Sequence, residues 1–210
     1  MPTSEEILGG LGVIANNWRW FAILWHGYFA VIILALILGI RPSKRIFGVL
    51  LTLPLLSVSV LAWLNANAFN GGFFTIVAIA LGFIALKLPA GAIRIGPIWL
   101  TAVGTLMLGF GWVYPHFLVG HGFAQYLYAA PTGLIPCPTI SIVIGVSLIL
   151  GGLGSRAWCL VLAFIGLFYG AFGAVKLGVL IDLTLFAGAL VVTYVGLSKR
   201  LASTPMVDVR

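Results

Sequence analysis

The sequence contains very few charged residues. Only 7% of its 210 residues are Asp, Glu, Lys or Arg, whereas a soluble domain has about 25%. Hydrophobic residues make up 62% of the chain, and the mean hydropathy is +1.20. The chain therefore lacks the polar surface of a water-soluble protein, which excludes a soluble enzyme, a nucleic-acid-binding domain and a disordered regulator. We predict an integral membrane protein in which residues 1–210 form one domain in contact with the lipid bilayer.

Cysteine is also scarce, with only Cys137 and Cys159 in the chain. They are 22 residues apart and form no CxxC motif, which excludes a disulfide scaffold, a thiol-redox motif and a zinc ribbon. We expect Cys137 near the outer face and Cys159 toward the cytoplasmic side. The two Cα atoms would then be farther apart than the ~7 Å limit for a disulfide.

Long apolar runs are abundant. A transmembrane helix needs about 20 mostly apolar residues, and seven runs qualify. We therefore predict an all-α bundle of seven transmembrane helices. Reading the last two runs as one interrupted segment would give six. The runs cover residues 18–40, 46–64, 72–88, 95–114, 140–154, 157–174 and 179–197.

The positions of lysine and arginine predict the orientation, because cytoplasmic connections carry the excess of these residues. In the seven-helix arrangement, nine of the eleven basic residues fall on one side, and only Arg19 and Lys176 fall on the other. The connections at 65–71 and 115–139 contain no charged residue at all. We expect the N-terminus outside and the C-terminus in the cytoplasm. The net charge of +7 is then mainly an orientation signal.

The connection at residues 115–139 is unusually long, apolar and uncharged, and it contains four prolines. A non-helical backbone cannot face lipid, since each unpaired amide costs several kcal/mol in hydrocarbon. We predict an outer interfacial helix over residues 117–129, followed by a non-helical cap. That cap lies on the outer face of the bundle or re-enters a protein-lined cavity.

This segment carries a distinctive series of short motifs. They are Tyr114-Pro115, Gly120-His121, Ala130-Pro131-Thr132 and Pro136-Cys137-Pro138-Thr139. The series resembles a family of bacterial multi-pass membrane proteins known only as a domain of unknown function. The element after Gly120-His121 is longer and more apolar here than in that family. The resemblance implies a location in the bacterial inner membrane, and it implies no reaction, substrate or cofactor.

Three histidines and one cysteine in the outer half of the predicted bundle are candidate ligands for a metal ion or haem. Imidazole with thiolate can bind copper or zinc, and two histidines can bracket a haem iron. The metal candidates are His26, His116, His121 and Cys137, although the i,i+5 spacing of His116 and His121 is not diagnostic. An interfacial histidine that only hydrogen-bonds its surroundings, and a cysteine that only packs, remain the alternatives.

Asp182 is the only acidic residue within a predicted span. Ionisable groups inside a membrane are costly, so they indicate functional sites. Lys176 lies six residues earlier, a spacing that does not align the pair on one helical face. With Asp182, the candidate substrate-binding residues are Tyr114, His116, His121 and Cys137.

Transport of a small solute or ion, or a channel for one, is the function that this pattern favours. The alternative is an accessory or cofactor-binding subunit of a membrane redox complex, with haem or metal on the histidines. A membrane enzyme is the weakest class, because HExxH, GxSxG and P-loop motifs are all missing. No catalytic residue or specific cofactor is predicted. A homo-oligomer, or a partner in a membrane complex, is left open.

The predicted orientation can be tested with single cysteines introduced at Ser43 and Asn67 in intact cells. An impermeant thiol reagent should modify the cysteine at 67, which is predicted to lie outside, and spare the cysteine at 43. The reverse labelling pattern would contradict the orientation.

Overall fold

The computed structural model of the protein describes residues 3–120 and 122–198. Within these ranges the structure is all-helical, and its only β-type pairing is an isolated bridge between Ser43 and Ala92. The helices are α1 (Ser4–Asn17), α2 (Arg19–Ile37), α3 (Lys44–Leu64), α4 (Ala68–Lys87), α5 (Ile98–Val113), α6 (Tyr126–Ala129), α7 (Pro136–Ile149), α8 (Arg156–Ala171) and α9 (Leu183–Leu197). A π-helical turn (Phe172–Lys176) follows α8, and 3₁₀ turns cover Phe123–Gln125, Gly151–Gly154 and Leu180–Asp182.

Five helical segments are long and apolar enough to cross a membrane. They are α2, α3, α4, the continuous stretch Arg156–Lys176 and the stretch Leu180–Leu197. The predicted all-α class is confirmed, and each of the seven apolar runs contains a helix. However, α5 and α7 have only 16 and 14 residues.

Large apolar side chains cover much of the outside of the bundle. Ile76, Ile79 and Leu106 are each more than 65% exposed, and many other Leu, Ile and Phe side chains are also exposed. Water would not tolerate an apolar surface of this extent on a monomer. Such a surface matches a hydrocarbon environment.

One end of the bundle, which we call the basic end, is formed by residues 38–43, 88–97 and 150–155. The Ser43–Ala92 bridge joins the first two connections, and the Gly96 amide donates to the Ile149 carbonyl at 2.7 Å. Six of the described basic residues lie at or next to these connections: Arg41, Lys44, Arg45, Lys87, Arg94 and Arg156. Lys199, Arg200 and Arg210 lie outside the described residues.

The opposite end, which we call the α1 end, contains α1 and residues 65–67, 114–135 and 172–182. Helix α1 begins with a capping box, in which the Thr3 hydroxyl accepts from the Glu6 amide and the Glu6 carboxylate accepts from the Thr3 amide. Leu11 and Ile14 of α1 pack with Leu134 and Ile135 in a small apolar cluster separate from the main core. Helix α1 was not predicted.

Helices α5 and α7 approach so closely that glycine is required between them. A Cβ atom added at Gly104 would lie 2.6 Å from the Gly145 carbonyl oxygen, and one at Gly145 would lie 2.6 Å from the Leu108 amide nitrogen. At Gly111 it would lie 2.6 Å from the Pro138 carbonyl oxygen. Small residues allow this backbone contact, which replaces the hydrophobic driving force that membrane helices lack.

Residues 114–139, which we call the outer segment after their predicted position, differ from the prediction. The helix expected over residues 117–129 is restricted to the turn Phe123–Gln125 and to α6. Phe117, Gly120 and Gly122 have φ values of +77°, +87° and +71°, and these left-handed conformations interrupt a right-handed helix. Helix α7 also begins earlier than predicted, at Pro136 rather than at residue 140, since proline suits the first turn of a helix. Cys137 and Cys159 are both free thiols, in agreement with the absence of a disulfide between them, and their outer and cytoplasmic positions stay a prediction.

The glycine contacts between α5 and α7 predict a large stability difference between two alanine variants of the same helix. Gly104→Ala should lower the free energy of unfolding by about 1–3 kcal/mol, because the added methyl group overlaps the α7 backbone. Gly109→Ala is the control, since no atom lies within 4 Å of a Cβ at that position. Thermal unfolding in detergent measures both, and equal melting temperatures would contradict the close packing.

Candidate functional site

A cavity of about 680 Å³ lies at the α1 end, between α1 and the adjoining ends of α4, α5, α7 and α8. Most of its wall is apolar, and the polar groups are concentrated in a few places. The residues that the following paragraphs use are Glu6, Phe69, Asn70, Tyr114, Phe117, Cys137, Tyr169, Phe172, Gly173, Lys176 and Asp182.

A buried carboxylate with two donors forms the polar floor of this cavity. The Tyr114 hydroxyl donates to Asp182 Oδ1 at 2.7 Å, and the Cys137 thiol donates to Asp182 Oδ2 at 3.2 Å. Asp182 is 1% exposed and Tyr114 is 0% exposed, whereas Cys137 is only partly buried. Because each oxygen of Asp182 accepts a hydrogen bond, the arrangement stabilises a carboxylate rather than leaving it unpaired.

The irregular connection between α8 and α9 places Asp182 in this position. Helix α8 ends in the π-helical turn, and Asp182 closes the 3₁₀ turn that leads into α9. Single π-turns occur frequently at functional sites. The Asp182 side chain packs directly on the backbone of Gly173, where a Cβ atom would collide with Asp182 Oδ2.

Tyr114 and Cys137 come from the helix ends that meet at the floor. Tyr114 caps the C-terminus of α5, and the following Pro115 excludes continuation of the helix. Cys137 lies in the first turn of α7 between Pro136 and Pro138. The tight packing of α5 on α7 therefore brings both donors to the same carboxylate.

A second polar pair also lines the cavity. The Tyr169 hydroxyl of α8 donates to Asn70 Oδ1 of α4 at 2.7 Å, and both side chains are buried. The backbone N–H of Asn70 in turn donates to Asn67 Oδ1, and Asn67 caps α4. This pair fixes the α4 side of the cavity to α8.

Helix α1 closes the cavity as a roof. At its N-terminus the Ser4 hydroxyl donates to the Lys176 carbonyl at 2.9 Å. At its C-terminus Asn16 Nδ2 donates to the Phe117 carbonyl at 2.8 Å, and Asn16 Oδ1 accepts from the Val119 amide at 3.0 Å. The roof is therefore tied to the π-helical turn at one end and to the outer segment at the other.

Three predicted site residues, Tyr114, Cys137 and Asp182, are thus in direct contact. His116 lies next to them without lining the cavity. Its amide donates to the Tyr114 carbonyl at 2.8 Å, and its ring packs edge-on against Phe117. Burial lowers the pKa of His116. His121 lies outside the described residues.

His26 is buried between α2 and α5, and its ring is fully engaged. Its Nδ1 lies 2.9 Å from the Ala22 carbonyl oxygen, and its Nε2 lies 3.0 Å from the Trp112 carbonyl oxygen. In this position the ring joins two helices, and neither ring nitrogen points at the side chain of another candidate metal ligand. Within residues 3–120 and 122–198, no group of three or more His, Cys, Asp or Glu side chains could hold a metal ion.

Sequence reasoning missed the roof and the Tyr169–Asn70 pair. The roof had a local signal, because Thr3 and Glu6 are spaced as in a capping box before the apolar Ile7. The Tyr169–Asn70 pair joins residues 99 positions apart in the chain, and no local pattern specifies such a contact.

Comparison of the chain with protein-family models, with curated proteins and with solved structures gave no match. The resemblance of the 114–139 motifs to a bacterial membrane family therefore stays a prediction, and the site must be interpreted from its own geometry.

The hydrogen bond from Tyr114 to Asp182 predicts the effect of removing the Tyr114 hydroxyl group. Tyr114→Phe should lower the free energy of unfolding by about 1.5–3 kcal/mol, because it removes a hydrogen bond to a buried charged group. Tyr194→Phe is the matched control, since Tyr194 is 59% exposed, and it should change stability by less than about 0.5 kcal/mol. Equal melting temperatures for the two variants in detergent would show that the Tyr114–Asp182 bond contributes nothing.

Proposed function

We propose that this protein is a membrane transporter or channel for a small solute or ion, which binds in the cavity beneath α1. The observation that carries the proposal is a cavity of about 680 Å³ whose floor is a buried carboxylate. Sites for small organic molecules typically have volumes of about 300–1,000 Å³, apolar walls and a few convergent polar groups. This cavity has the same properties.

Interrupted helices support the same function. The α8–α9 connection contains a π-turn and a 3₁₀ turn on the cavity wall, within the apolar stretches long enough to span a membrane. Irregular backbone at membrane depth is tolerated where it lines a cavity, and broken helices form the substrate sites of many transporters. Helix α3 is continuous but contains Pro54 in its interior, where proline removes one backbone hydrogen bond.

The proposal includes the topology. With α5 and α7 counted as spans beside the five longer segments, the chain crosses the membrane seven times. The basic end then faces the cytoplasm, because six described basic residues lie there against Arg19 and Lys176 at the α1 end. The α1 end, with the cavity beneath α1, consequently lies toward the outside of a bacterial inner membrane.

The native thiol of Cys137 allows a test that needs no knowledge of the solute. In a Cys159→Ala background, Cys137 is the only cysteine, and it lies on the cavity wall. A transporter or channel must expose this wall to both sides of the membrane. We therefore expect an impermeant methanethiosulfonate to modify Cys137 in both right-side-out and inverted vesicles, with mass spectrometry of the intact protein as the readout.

Two marker variants control the sidedness of these vesicles. In the same background with Cys137→Ser, a cysteine at Val119, which is 77% exposed and does not line the cavity, should react from the α1 side only, and one at Ser43 from the basic side only. Modification of Cys137 exclusively from the α1 side would identify a one-sided binding pocket and would overturn the transport function. Absence of modification from both sides, with full reaction after denaturation, would overturn it as well.

A further inference from the structure

Negative charge exceeds positive charge among the side chains that line the cavity. Two of the charged side chains, Glu6 and Lys176, are exposed residues of opposite sign. The interior charge is that of Asp182, whose partners are the neutral donors Tyr114 and Cys137. Among the described residues, no Lys or Arg side chain forms an ion pair with this carboxylate. The floor of the cavity is therefore a carboxylate that has no cationic partner within the described part of the chain, in surroundings where a negative charge is costly.

Aromatic rings form a large part of the wall around this charge. Five aromatic residues line the cavity, and they come from four different parts of the chain. They are Phe69 of α4, Tyr114 and Phe117 of the outer segment, Tyr169 of α8 and Phe172 of the π-helical turn. The face of an aromatic ring carries partial negative charge and attracts ammonium groups within about 6 Å. The rings and the carboxylate thus favour the same sign of ligand charge.

We propose that the cavity selects a small monovalent organic cation, such as a substituted ammonium, and this inference rests on the transport function proposed above. The cationic group lies against the floor near Cys137, where the field of Asp182 is strongest, and the aromatic residues that line the cavity surround it. The apolar part of the ligand occupies the wall under α1. An inorganic divalent cation fits less well, because Mg²⁺ and Ca²⁺ need about six oxygen ligands and the floor offers one carboxylate, that of Asp182. An anion would be repelled by the floor.

Three compounds with one carbon skeleton separate charge from shape. They are 4-phenylbutylamine, which is a cation at neutral pH, the uncharged 4-phenylbutan-1-ol and the anion 4-phenylbutyrate. Isothermal titration of the full chain in a neutral detergent, with empty micelles as the reference, measures each affinity. We expect the amine to bind about tenfold or more tightly than the alcohol, since one unit charge faces the carboxylate in a medium of reduced dielectric constant. The butyrate should bind most weakly.

Two substitutions test whether the preference for the amine arises in the cavity. Asp182→Asn preserves the shape of the side chain and should abolish the preference for the amine, with the alcohol affinity unchanged within about threefold. Phe172→Leu should weaken amine binding by about threefold to tenfold through the loss of one ring face. Phe164→Leu is its control, because Phe164 lies on α8, is 62% exposed and does not line the cavity.

A second pair of variants keeps the test decisive if Asp182→Asn does not fold. Gly10 lines the cavity and Gly9 does not, and a Cβ atom at either position meets no atom within 4 Å. Gly10→Trp should reduce amine binding by filling the space under α1, whereas Gly9→Trp should leave it unchanged. Equal effects of these two variants would place the amine outside the cavity and overturn the proposal.

The remaining outcomes separate this inference from the proposed function. Equal affinities of wild-type protein for amine and alcohol, or no amine binding, would overturn the selection of a cation. If Cys137 is still modified from both sides of the membrane, the transport function stands despite that result. Amine binding with modification from the α1 side only would support the cation site and overturn transport.

Discussion

Burial of the Asp182 carboxylate in an apolar bundle is the constraint that organises the α1 end. A charged group in such a place must be compensated by hydrogen bonds or by an opposite charge. The chain supplies two donors from different helix ends, Tyr114 from α5 and Cys137 from α7. It also supplies Gly173, whose missing side chain gives the carboxylate room. These elements are far apart in the sequence, so the carboxylate links the folding of α5, α7 and α9 to one site.

The packing of α5 on α7 explains why these donors converge. The glycine contacts begin at Gly104 and Gly145 in the middle of the helices and continue to Gly111, which meets the backbone of Pro138. Tyr114 lies three residues beyond Gly111, and Cys137 directly precedes Pro138. The close approach of the two backbones therefore ends at the floor of the cavity. A structural feature that stabilises the bundle also sets the geometry of the candidate site.

Much of the helical framework could be predicted from the sequence, because long apolar runs in a membrane have few alternatives to a helix. Asp182 could also be identified, since an acidic residue in such a run is rare and expensive. The partners of Asp182 could not be derived in this way. They depend on how helix ends meet in space, and the π-turn that positions the carboxylate has no recognised sequence signal. The outer helix over residues 117–129 was predicted too long, because the left-handed conformation at Phe117 has no signature in a non-glycine residue.

The roof and the floor of the cavity are built from interactions of different strength. The floor belongs to helices whose backbones touch through glycine, so displacing it would require separation of α5 from α7. The roof is held by the side chains of Ser4 and Asn16 and by an apolar cluster that is separate from the main core. Elements with few buried contacts open at lower free energy than elements of the core. The two parts therefore differ in the free energy needed to move them, which we expect to be lower for α1 than for the floor.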